Sequence, residues 1–440
     1  MISIEQFIRD GNVNRPLLFL GKGPSFEMRN KFLLSKFFTI ASNHSIRSVK
    51  ADICSAIDFD VVRTCINEIY QNAKYLMIPW HPHLPEAGYK ASSESLIILS
   101  KSVPLLSRMI EESRVIIYNL SSAREHNDAS KVYTTIINSG DTLFNVFVSN
   151  GIKTMYSLGV DGGRSYASDF KDLIPLENGR KSFDEQDPGI GRICKKTGAE
   201  FVRLQNKKEI QVFVGSGPKQ LIPSLVLDYS IKKHTLNPST VTPLYQLQTA
   251  HRKPKSPANC PRTPFSFQRF FIPSLAKGRA FYMDSDMQVF ADVGQLLESD
   301  FEGFEGLSAA GMDKFDQWAN SNYAMLMLDC DKIKWNIESI IDMLDEGKLT
   351  YEDLMFKFKH SNIKASLGSD GIWNSLDHYE EGKTALLHYT DMSTQPWKYP
   401  NHPFGSLWVS YLREAISCGF IDKQLYDEHV SKGYVRKGLL

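Results

Sequence analysis

The amino-acid sequence predicts an α/β protein made of two Rossmann-like domains. Apolar runs alternate with segments of helical periodicity through the first half, and twice an apolar run leads straight into a Gly-x-Gly-Pro turn, at 16–26 and 210–221. A continuous apolar run is typical of a buried parallel strand, and its alternation with helices indicates a parallel sheet covered by helices. The two turns lie about 190 residues apart, so we expect one domain to begin near each.

The first domain is predicted over residues 1–178. After the first turn, apolar runs predict five further strands, at 37–41, 51–58, 75–79, 114–119 and 154–160. Helical spacing is present between them, at 60–73 and 95–112. Residues 179–208 are rich in Gly, Lys, Arg and Asp and are weakly periodic, which predicts a linker between the domains.

The second domain is predicted over residues 209–440. Apolar runs there predict four strands, at 211–214, 280–283, 324–329 and 385–389. The stretch 253–264 holds four prolines and is expected to form a loop, and the tail from 408 to 440 is expected to be helical and then basic.

Charge and composition narrow the class of protein. The 440 residues include 51 basic and 50 acidic side chains, for a formal charge of +1, so nothing suggests a nucleic-acid partner. No apolar run approaches the roughly 20 residues needed to span a bilayer, and the N-terminus lacks signal-peptide features. The six cysteines form no CxxC pair, which argues against a zinc site. We expect a soluble cytoplasmic protein, or one peripheral at the inner membrane face.

Paired carboxylates end one apolar segment of the second half, in FYMDSDMQV at 281–289. Asp284 and Asp286 share one face if the backbone stays extended, and their mutual repulsion is relieved by a divalent cation. Mn²⁺ and Mg²⁺ prefer oxygen ligands, and Mg²⁺ is often bound by one or two carboxylates plus substrate phosphates. The pattern therefore predicts a metal that bridges protein and diphosphate. His388 ends another apolar run and is either a third ligand or a structural histidine, and Arg269 either snorkels or faces phosphate.

Seven segments, in their order along the chain, resemble retaining glycosyltransferases of family 8, which have the GT-A fold. The resemblance covers about 210–397. In chain order, its segments are IQVFVGSG at 210–217, QLIPSLVLDYSIKKHT at 220–235, the arginine-bearing FSFQRFFIPSL at 265–275, FYMDSDMQV at 281–289, the acceptor strand SNYAMLML at 321–328, SDGIWNSL at 369–376 and LLHYTDMSTQPW at 386–397.

The resemblance implies roles for individual residues. These are the metal ligands Asp284, Asp286 and His388 for Mn²⁺ or Mg²⁺, the nucleotide neighbours Val214 and Gly215, Arg269 near the diphosphate, and Asn322 and Asp370 facing the donor sugar and the acceptor. Asp391 and Gln395 stand where the family has glycine and lysine, so Lys398 would take the place of that lysine, and Tyr323 and Gly371 also depart from the family pattern.

The implied reaction is transfer of a hexose from a nucleotide-diphosphate sugar, such as a UDP-hexose, to a glycan or glycolipid acceptor with retention. The expected setting is bacterial surface polysaccharide or glycoprotein synthesis. Two other interpretations stay open. One is a metal-dependent nucleotidyltransferase or phosphohydrolase, since these enzymes also use paired carboxylates. The other is a non-catalytic glycan-binding protein built from degenerate transferase domains.

In the first half, the turn GKGPS at 21–25 follows a buried strand and can hold a phosphate through backbone N–H groups, although it lacks P-loop or GxGxxG spacing. Together with NSGDTLFN at 138–145 and GVDGG at 159–163, it resembles bacterial sialyltransferase-like and motility-accessory-factor-like domains. That resemblance implies binding of a CMP-activated sugar. It would place seven residues around the site, which are Gly21, Gly23, Ser25, Asn43, Ser139, Gly140 and Asp161. His81 and His83 are either a base or loop residues.

Overall fold

The structure, a computed structural model, describes residues 1–134, 138–163, 165–173, 177–247, 249–263, 265–312, 318–319, 323–368 and 371–440. The chain divides into two compact units. The first comprises Met1–Asn30 and Leu34–Asn206, and the second comprises Lys31–Leu33 and Lys207–Leu440.

The first unit is built around a nine-stranded sheet in which every strand pair is parallel. Its described strands are β1 (Ile2–Ser3), β2 (Leu17–Leu20), β3 (Phe38–Ser42), β4 (Ala51–Ser55), β5 (Ala73–Pro79), β6 (His83–Leu84), β7 (Lys90–Ala91), β8 (Val115–Leu120), β9 (Val132–Tyr133), β10 (Thr154–Leu158) and β11 (Glu200–Arg203). Its α-helices are α1 (Ile4–Arg9), α2 (Phe59–Asn72), α3 (Leu96–Ser100), α4 (Pro104–Glu111), α5 (Ser139–Ser149) and α6 (Glu177–Thr197).

The strand order of this sheet is β1-β8-β5-β4-β3-β2-β10-β11, with β9 beside β8 and β6 paired with β7 apart from it. The chain moves outward in one direction from β2 to β8 and then returns to the other side of β2. Two buried clusters cover the two faces of the sheet, one containing Phe19 and Phe144 and the other Cys54 and Phe59. Parallel sheets require such double cover because both faces are apolar, so the predicted α/β class is confirmed for this unit.

Most of the stretch 179–208, expected as a linker, lies within the first unit, which extends to Asn206. The stretch contains most of α6 and all of β11, which pairs in parallel with β10. Ile190 and Ile193 are buried in the core cluster that covers one face of the sheet. The glycines and Pro188 of this stretch favour a loop because both residue types have low helix propensity. Burial of the two isoleucines outweighs that cost and stabilises the helix.

The second unit contains a mixed six-stranded sheet, a five-stranded sheet and α-helices. Its described strands are β12 (Ile210–Gly215), β13 (Ser239–Pro243), β14 (Arg279–Asp284), β15 (Met287–Val289), β16 (Gly306–Ser308), β17 (Gly311–Met312), β18 (Trp318–Ala319), β19 (Met325–Asp329), β20 (Ile363–Lys364), β21 (Ser375–Leu376) and β22 (Leu386–His388). Its α-helices are α7 (Leu221–His234), α8 (Ile272–Leu275), α9 (Ile337–Asp345), α10 (Tyr351–Met355), α11 (Gly405–Ser417) and α12 (Lys423–Ser431).

The larger sheet has the order β13-β12-β14-β19-β16-β20, and the smaller has the order β15-β22-β21-β17-β18. β12 and β14 are parallel, so their carboxyl ends lie side by side with Gly215 opposite Asp284. Only Ser285 and Asp286 separate β14 from β15, which carries the chain into the smaller sheet. There Met287 lies opposite His388. The sharp passage from one sheet to the other therefore brings the two predicted ligand segments together. Among the described residues, no helix is both long and apolar enough to cross a membrane.

Candidate active site

The three predicted metal ligands come together in the second unit. Ligand atoms of Asp284, Asp286 and His388 all lie within 4.8 Å of one another. Oδ1 of Asp286 is 3.1 Å from Nε2 of His388, and backbone pairing fixes this approach because Tyr389 N donates to Asp286 O at 2.8 Å. Two carboxylates and one imidazole are a donor set that suits Mn²⁺ or another first-row divalent cation.

Asn374 determines which nitrogen of His388 is free. The amide of Asn374 is fully buried, and its Nδ2 donates to the Ala309 carbonyl at 3.4 Å, which sets its orientation. Its Oδ1 therefore accepts from Nδ1 of His388 at 3.1 Å. A neutral imidazole that donates through Nδ1 presents the lone pair of Nε2 toward Asp286. Metal-binding histidines are held in this way by a partner on the other nitrogen, so the residues present fit a cation.

A second chain of contacts holds Asp284. Tyr282, two residues earlier on β14, donates its hydroxyl to Oδ1 of Asp284 at 2.6 Å. Arg269 donates to the same hydroxyl at 2.9 Å and to the Tyr323 carbonyl at 3.0 Å, and its guanidinium lies 4.2 Å from the Tyr282 ring centre. Arg269 is 8% exposed, so it acts on Asp284 through Tyr282 from inside the protein.

The glycine at the end of β12 is needed for this arrangement. A Cβ atom on Gly215 would lie 2.2 Å from the Tyr282 hydroxyl, which is too close for any other residue to be accommodated without movement. Val214 is fully buried and packs in the core between sheet and helix. Any nucleotide contact at Val214 would therefore be made by its backbone.

The charges of the site influence one another. Burial raises the pKa of Asp284; Arg269 opposes the rise and the neighbouring Asp286 carboxylate adds to it. Burial lowers the pKa of His388, but the carboxylates of Asp286 and Asp284 outweigh it, so that its pKa lies above the usual value. A concentration of negative charge that attracts a proton to this extent also attracts a divalent cation.

The remaining predicted residues of this half differ in position. Gln395 donates through Nε2 to Oδ2 of Asp286 at 3.2 Å, although it stands where the family has lysine. Lys398 instead donates to the Gly433 carbonyl at 3.3 Å, and burial together with Lys219 lowers its pKa. Asn322 and Asp370 lie outside the described residues.

The glycine-rich turn of the first unit packs against another turn. Gly21 N donates to the Leu158 carbonyl and Gly23 N to the Gly159 carbonyl, each at 2.8 Å. A Cβ on Gly21 would lie 2.2 Å from the Gly159 oxygen. These two N–H groups therefore donate within the protein, and the glycines allow the close approach of two backbone turns.

Ser25 and Asp161 join the same two turns. Ser25 donates twice to Asp161, from N to Oδ2 at 2.8 Å and from Oγ to Oδ1 at 2.5 Å. Its Oγ also accepts from Gly159 N at 2.7 Å. Gln205 adds a third donor to Asp161, through Nε2 at 2.7 Å. The carboxylate of Asp161 thus has three internal contacts.

The other predicted residues of the first unit lie on separate elements. Ser139 and Gly140 begin α5, where a Cβ on Gly140 would lie 2.8 Å from Nε2 of Gln186 in α6. Asn43 follows β3 in the left-handed region, with φ 52°. Its Oδ1 is buried without a partner among the described residues.

Sequence reasoning did not single out Tyr282, Asn374 or the Gln395 contact. The contact of Tyr282 with Asp284 is indicated by their spacing, since residues at i and i+2 of a strand lie on the same face. Asn374 lies in the 369–376 stretch that the family resemblance quoted, but nothing in the sequence indicates that its amide meets an imidazole 14 residues later.

No known family model matches this chain. A glycosyltransferase, GlyB of Streptococcus pneumoniae serotype 4, is 25% identical over 171 residues, which cover 33% of this chain and 41% of GlyB. The chain thus spans about two fifths of the length of that relative.

Solved structures that are similar to this chain include two sugar transferases. One is the galactosyltransferase LgtC in complex with donor and acceptor sugar analogues, with a TM-score of 0.34 and 10% identity over 50% of this chain and 100% of LgtC. Another is the sialyltransferase CstII from Campylobacter jejuni in complex with a substrate analogue, with a TM-score of 0.27 and 15% identity over 43% of this chain and 81% of CstII. The sequence resemblance to glycosyltransferases is confirmed by the match to GlyB.

Proposed function

We propose that the second unit is a metal-dependent glycosyltransferase that moves a hexose from a nucleotide-diphosphate sugar to a glycan or glycolipid acceptor. The observation that carries the proposal is the meeting of Asp284, Asp286 and His388 within 4.8 Å. A UDP-hexose is the donor that the family resemblance favours, and retention is the expected outcome. The setting would be synthesis of a bacterial surface polysaccharide or glycoprotein.

Asp284, Asp286 and His388 would hold a divalent cation, and the imidazole ligand favours Mn²⁺ over Mg²⁺, which prefers oxygen. When bound, the cation supplies neutralisation of the charge that develops on the departing nucleoside diphosphate. Asn374 keeps the Nε2 lone pair of His388 directed into the site. Tyr282 fixes the rotamer of Asp284, so that the ligands are preorganised before donor binding.

The other residues of the proposed site have different tasks. Gln395 steadies Asp286 through its amide, which leaves a lysine contact with diphosphate to Lys398. Val214 and Gly215 would border the nucleotide through their backbone. Asn322 and Asp370 would face the donor sugar and the acceptor, as the family resemblance implies. No protein nucleophile is assigned, because positioning and electrostatic stabilisation are sufficient for leaving-group departure.

The proposal is tested with Asp286→Ala and Asp284→Ala in the full chain. Asp427→Ala serves as the matched control, since Asp427 makes an exposed ion pair with Lys423, of the kind worth about 0–1 kcal/mol. We expect Mn²⁺-dependent release of nucleotide from UDP-hexoses to fall at least about 100-fold in each site variant and to be unchanged in the control. Unchanged release in the site variants would refute the assignment.

Product analysis separates the alternatives. A transferase yields a sugar-bearing acceptor and a free nucleoside diphosphate, whereas a nucleotidyltransferase or phosphohydrolase yields pyrophosphate or inorganic phosphate. A non-catalytic glycan-binding protein would fail to bind Mn²⁺ together with nucleotide.

For the first unit, we propose binding of a nucleotide-activated sugar, with a CMP-sugar as the candidate that its family resemblance favours. Its predicted residues lie at or beyond strand ends on the carboxyl edge of a parallel sheet or at the start of α5, where α/β folds bind ligands. Calorimetric titration of the full chain with CMP in the presence of EDTA tests this, and absence of binding would refute it.

A further inference from the structure

A second group of titratable side chains lies at the carboxyl edge of the first sheet. Lys22 follows β2, His44 follows β3, Asp58 follows β4 and His83 begins β6 just after β5. Strands β2, β3, β4 and β5 are consecutive neighbours in the sheet, and the carboxyl ends of parallel strands meet at one edge. None of these residues belongs to the proposed metal site.

The structure distinguishes the two histidines of the WHPHLP segment. His81 is 5% exposed and donates through Nδ1 to the Ser92 carbonyl at 3.0 Å, which is the contact of a structural histidine. His83 is only partly buried and makes no such bond to a carbonyl among the described residues. Its Nδ1 lies 3.8 Å from Oδ1 of Asp58, and its Nε2 lies 3.4 Å from Oγ of Ser122.

The backbone fixes the approach of His83 to Asp58. His83 N donates to the Ile57 carbonyl at 2.9 Å, and Asp58 forms a parallel bridge with His83. With Nδ1 turned toward a carboxylate, the neutral imidazole carries its proton there and presents a lone pair on Nε2. Both side-chain distances exceed those of a normal hydrogen bond, as is common for catalytic pairs before substrate is bound.

Buried polar atoms without partners mark the same edge. Ser55 and Tyr118 are 1% and 0% exposed. Neither the Oγ of Ser55 nor the hydroxyl of Tyr118 has a hydrogen-bond partner among the described residues. Nδ1 of His44 is buried and unpartnered in the same way. Tyr118 lies close enough to Asp58 for that carboxylate to raise its pKa, in addition to burial. Such groups are rare in native proteins unless a ligand or water satisfies them.

The charges agree with a proton-transfer role. Burial, with a contribution from Asp60, raises the pKa of Asp58 to about 6, and burial lowers the pKa of His83. At neutral pH Asp58 is therefore largely ionised and His83 is neutral, which is the state of a base and its anionic partner. Burial lowers the pKa of Lys22 to about 8 against the opposing pull of Asp58, so Lys22 remains mostly charged at pH 7.

We propose that the first unit contains a second transfer centre that needs no metal, in which His83 is the base, Asp58 positions it and Lys22 faces the departing phosphate. This rests on the proposal that the first unit binds a nucleotide-activated sugar. The acceptor hydroxyl passes its proton to Nε2 of His83 while its oxygen bonds to the anomeric carbon. The bond from that carbon to the phosphate oxygen breaks, and its electron pair stays on the phosphate beside Lys22.

The test uses the full chain in EDTA and follows nucleotide release from a panel of CMP-, UDP-, GDP- and dTDP-sugars, with water or added glycans as acceptor. We expect His83→Gln to lower kcat at least 100-fold, the usual contribution of a general base. Asp58→Asn should lower kcat 10-fold or more with little change in KM, and Asp58→Glu should restore part of the loss. His126→Gln is the matched control, since His126 contacts the Leu120 carbonyl in a loop of the same unit.

Calorimetry with CMP in EDTA separates the two proposals. Binding that is retained in His83→Gln and weakened at least 10-fold in Lys22→Met supports the centre. Absence of CMP binding to the wild-type chain, together with no nucleotide release in EDTA from any sugar of the panel, refutes the nucleotide site and the centre with it. Two results overturn the transfer centre alone. In the first, CMP binds but no nucleotide is released in EDTA from any sugar of the panel; in the second, release is unchanged in His83→Gln.

Discussion

Replacing Asn374 by alanine tests how the protein prepares its proposed metal site. In the wild type the buried Asn374 amide accepts from Nδ1 of His388 at 3.1 Å, so in the neutral imidazole it is Nε2 that carries no proton. Without this partner, the neutral imidazole can place its proton on Nε2, where Oδ1 of Asp286 lies 3.1 Å away. In that tautomer the proton is on Nε2, the nitrogen that must be unprotonated to bind the cation.

The expected loss of metal affinity follows from this change. Removal of a residue that orients a histidine ligand usually costs 10–100-fold in affinity, which is about 1.4–2.7 kcal/mol. We expect calorimetric titration with Mn²⁺ in saturating UDP to give a dissociation constant for Asn374→Ala that is raised by that factor. Asn374→Asp keeps an acceptor opposite Nδ1, so its affinity should stay within about threefold of the wild type.

Asn119→Ala provides the matched control. Asn119 is also buried, and its amide donates to the Asn127 and Ser130 carbonyls in the first unit. Its removal should lower the stability of that unit without changing Mn²⁺ affinity. If folded Asn374→Ala binds Mn²⁺ as tightly as the wild type, metal binding by His388 does not depend on this tautomer, and Asn374 has no orienting role.

Three further predictions concern stability. Gly215→Ala should cost about 1–3 kcal/mol of unfolding free energy, since its Cβ would lie 2.2 Å from the Tyr282 hydroxyl. Tyr282→Phe should cost about 1–3 kcal/mol in urea unfolding because Arg269 and Asp284 both lose a buried partner. The double variant should be less destabilised than the sum by at least about 0.5 kcal/mol, and strict additivity would contradict the proposed clash. Burial raises the pKa of Asp141 to about 6, so the folded first unit keeps a proton that the unfolded chain loses near pH 4 and becomes less stable as the pH rises from 4 through 6. Asp141→Asn should remove this trend and gain at most about 3 kcal/mol at pH 8, and parallel pH profiles of thermal unfolding would count against it.

Much of the fold could be predicted because its strands are short and apolar. The apolar run before Asp284 predicts a strand at 280–283, and the structure has β14 there, over Arg279–Asp284. The helical spacing at 95–112 predicts one segment, whereas the structure has two helices there, α3 and α4, with Pro104 beginning the second. Proline has no N–H to donate to the preceding turn, so it starts a helix and does not continue one.

The site was predictable in part for the same reason. Asp284, Asp286 and His388 each stand at the end of an apolar run, which is a local signal. Asn374 and Gln395 meet these residues only through the pairing of β15, β21 and β22, and no local pattern encodes such long-range contacts. In the first unit the glycines suggested a phosphate-binding turn, but the same residue type also permits two backbone turns to approach closely, and the sequence does not distinguish these uses.

We propose above that Asp284, Asp286 and His388 hold a divalent cation. Crystals of the full chain soaked with Mn²⁺ and UDP, measured at the manganese absorption edge, test it most directly. We expect one strong anomalous peak about 2.0–2.3 Å from both carboxylates and from Nε2 of His388, and we expect that peak to be missing in Asp286→Ala crystals. A manganese peak elsewhere, or a nucleotide bound with none between these three side chains, would contradict it.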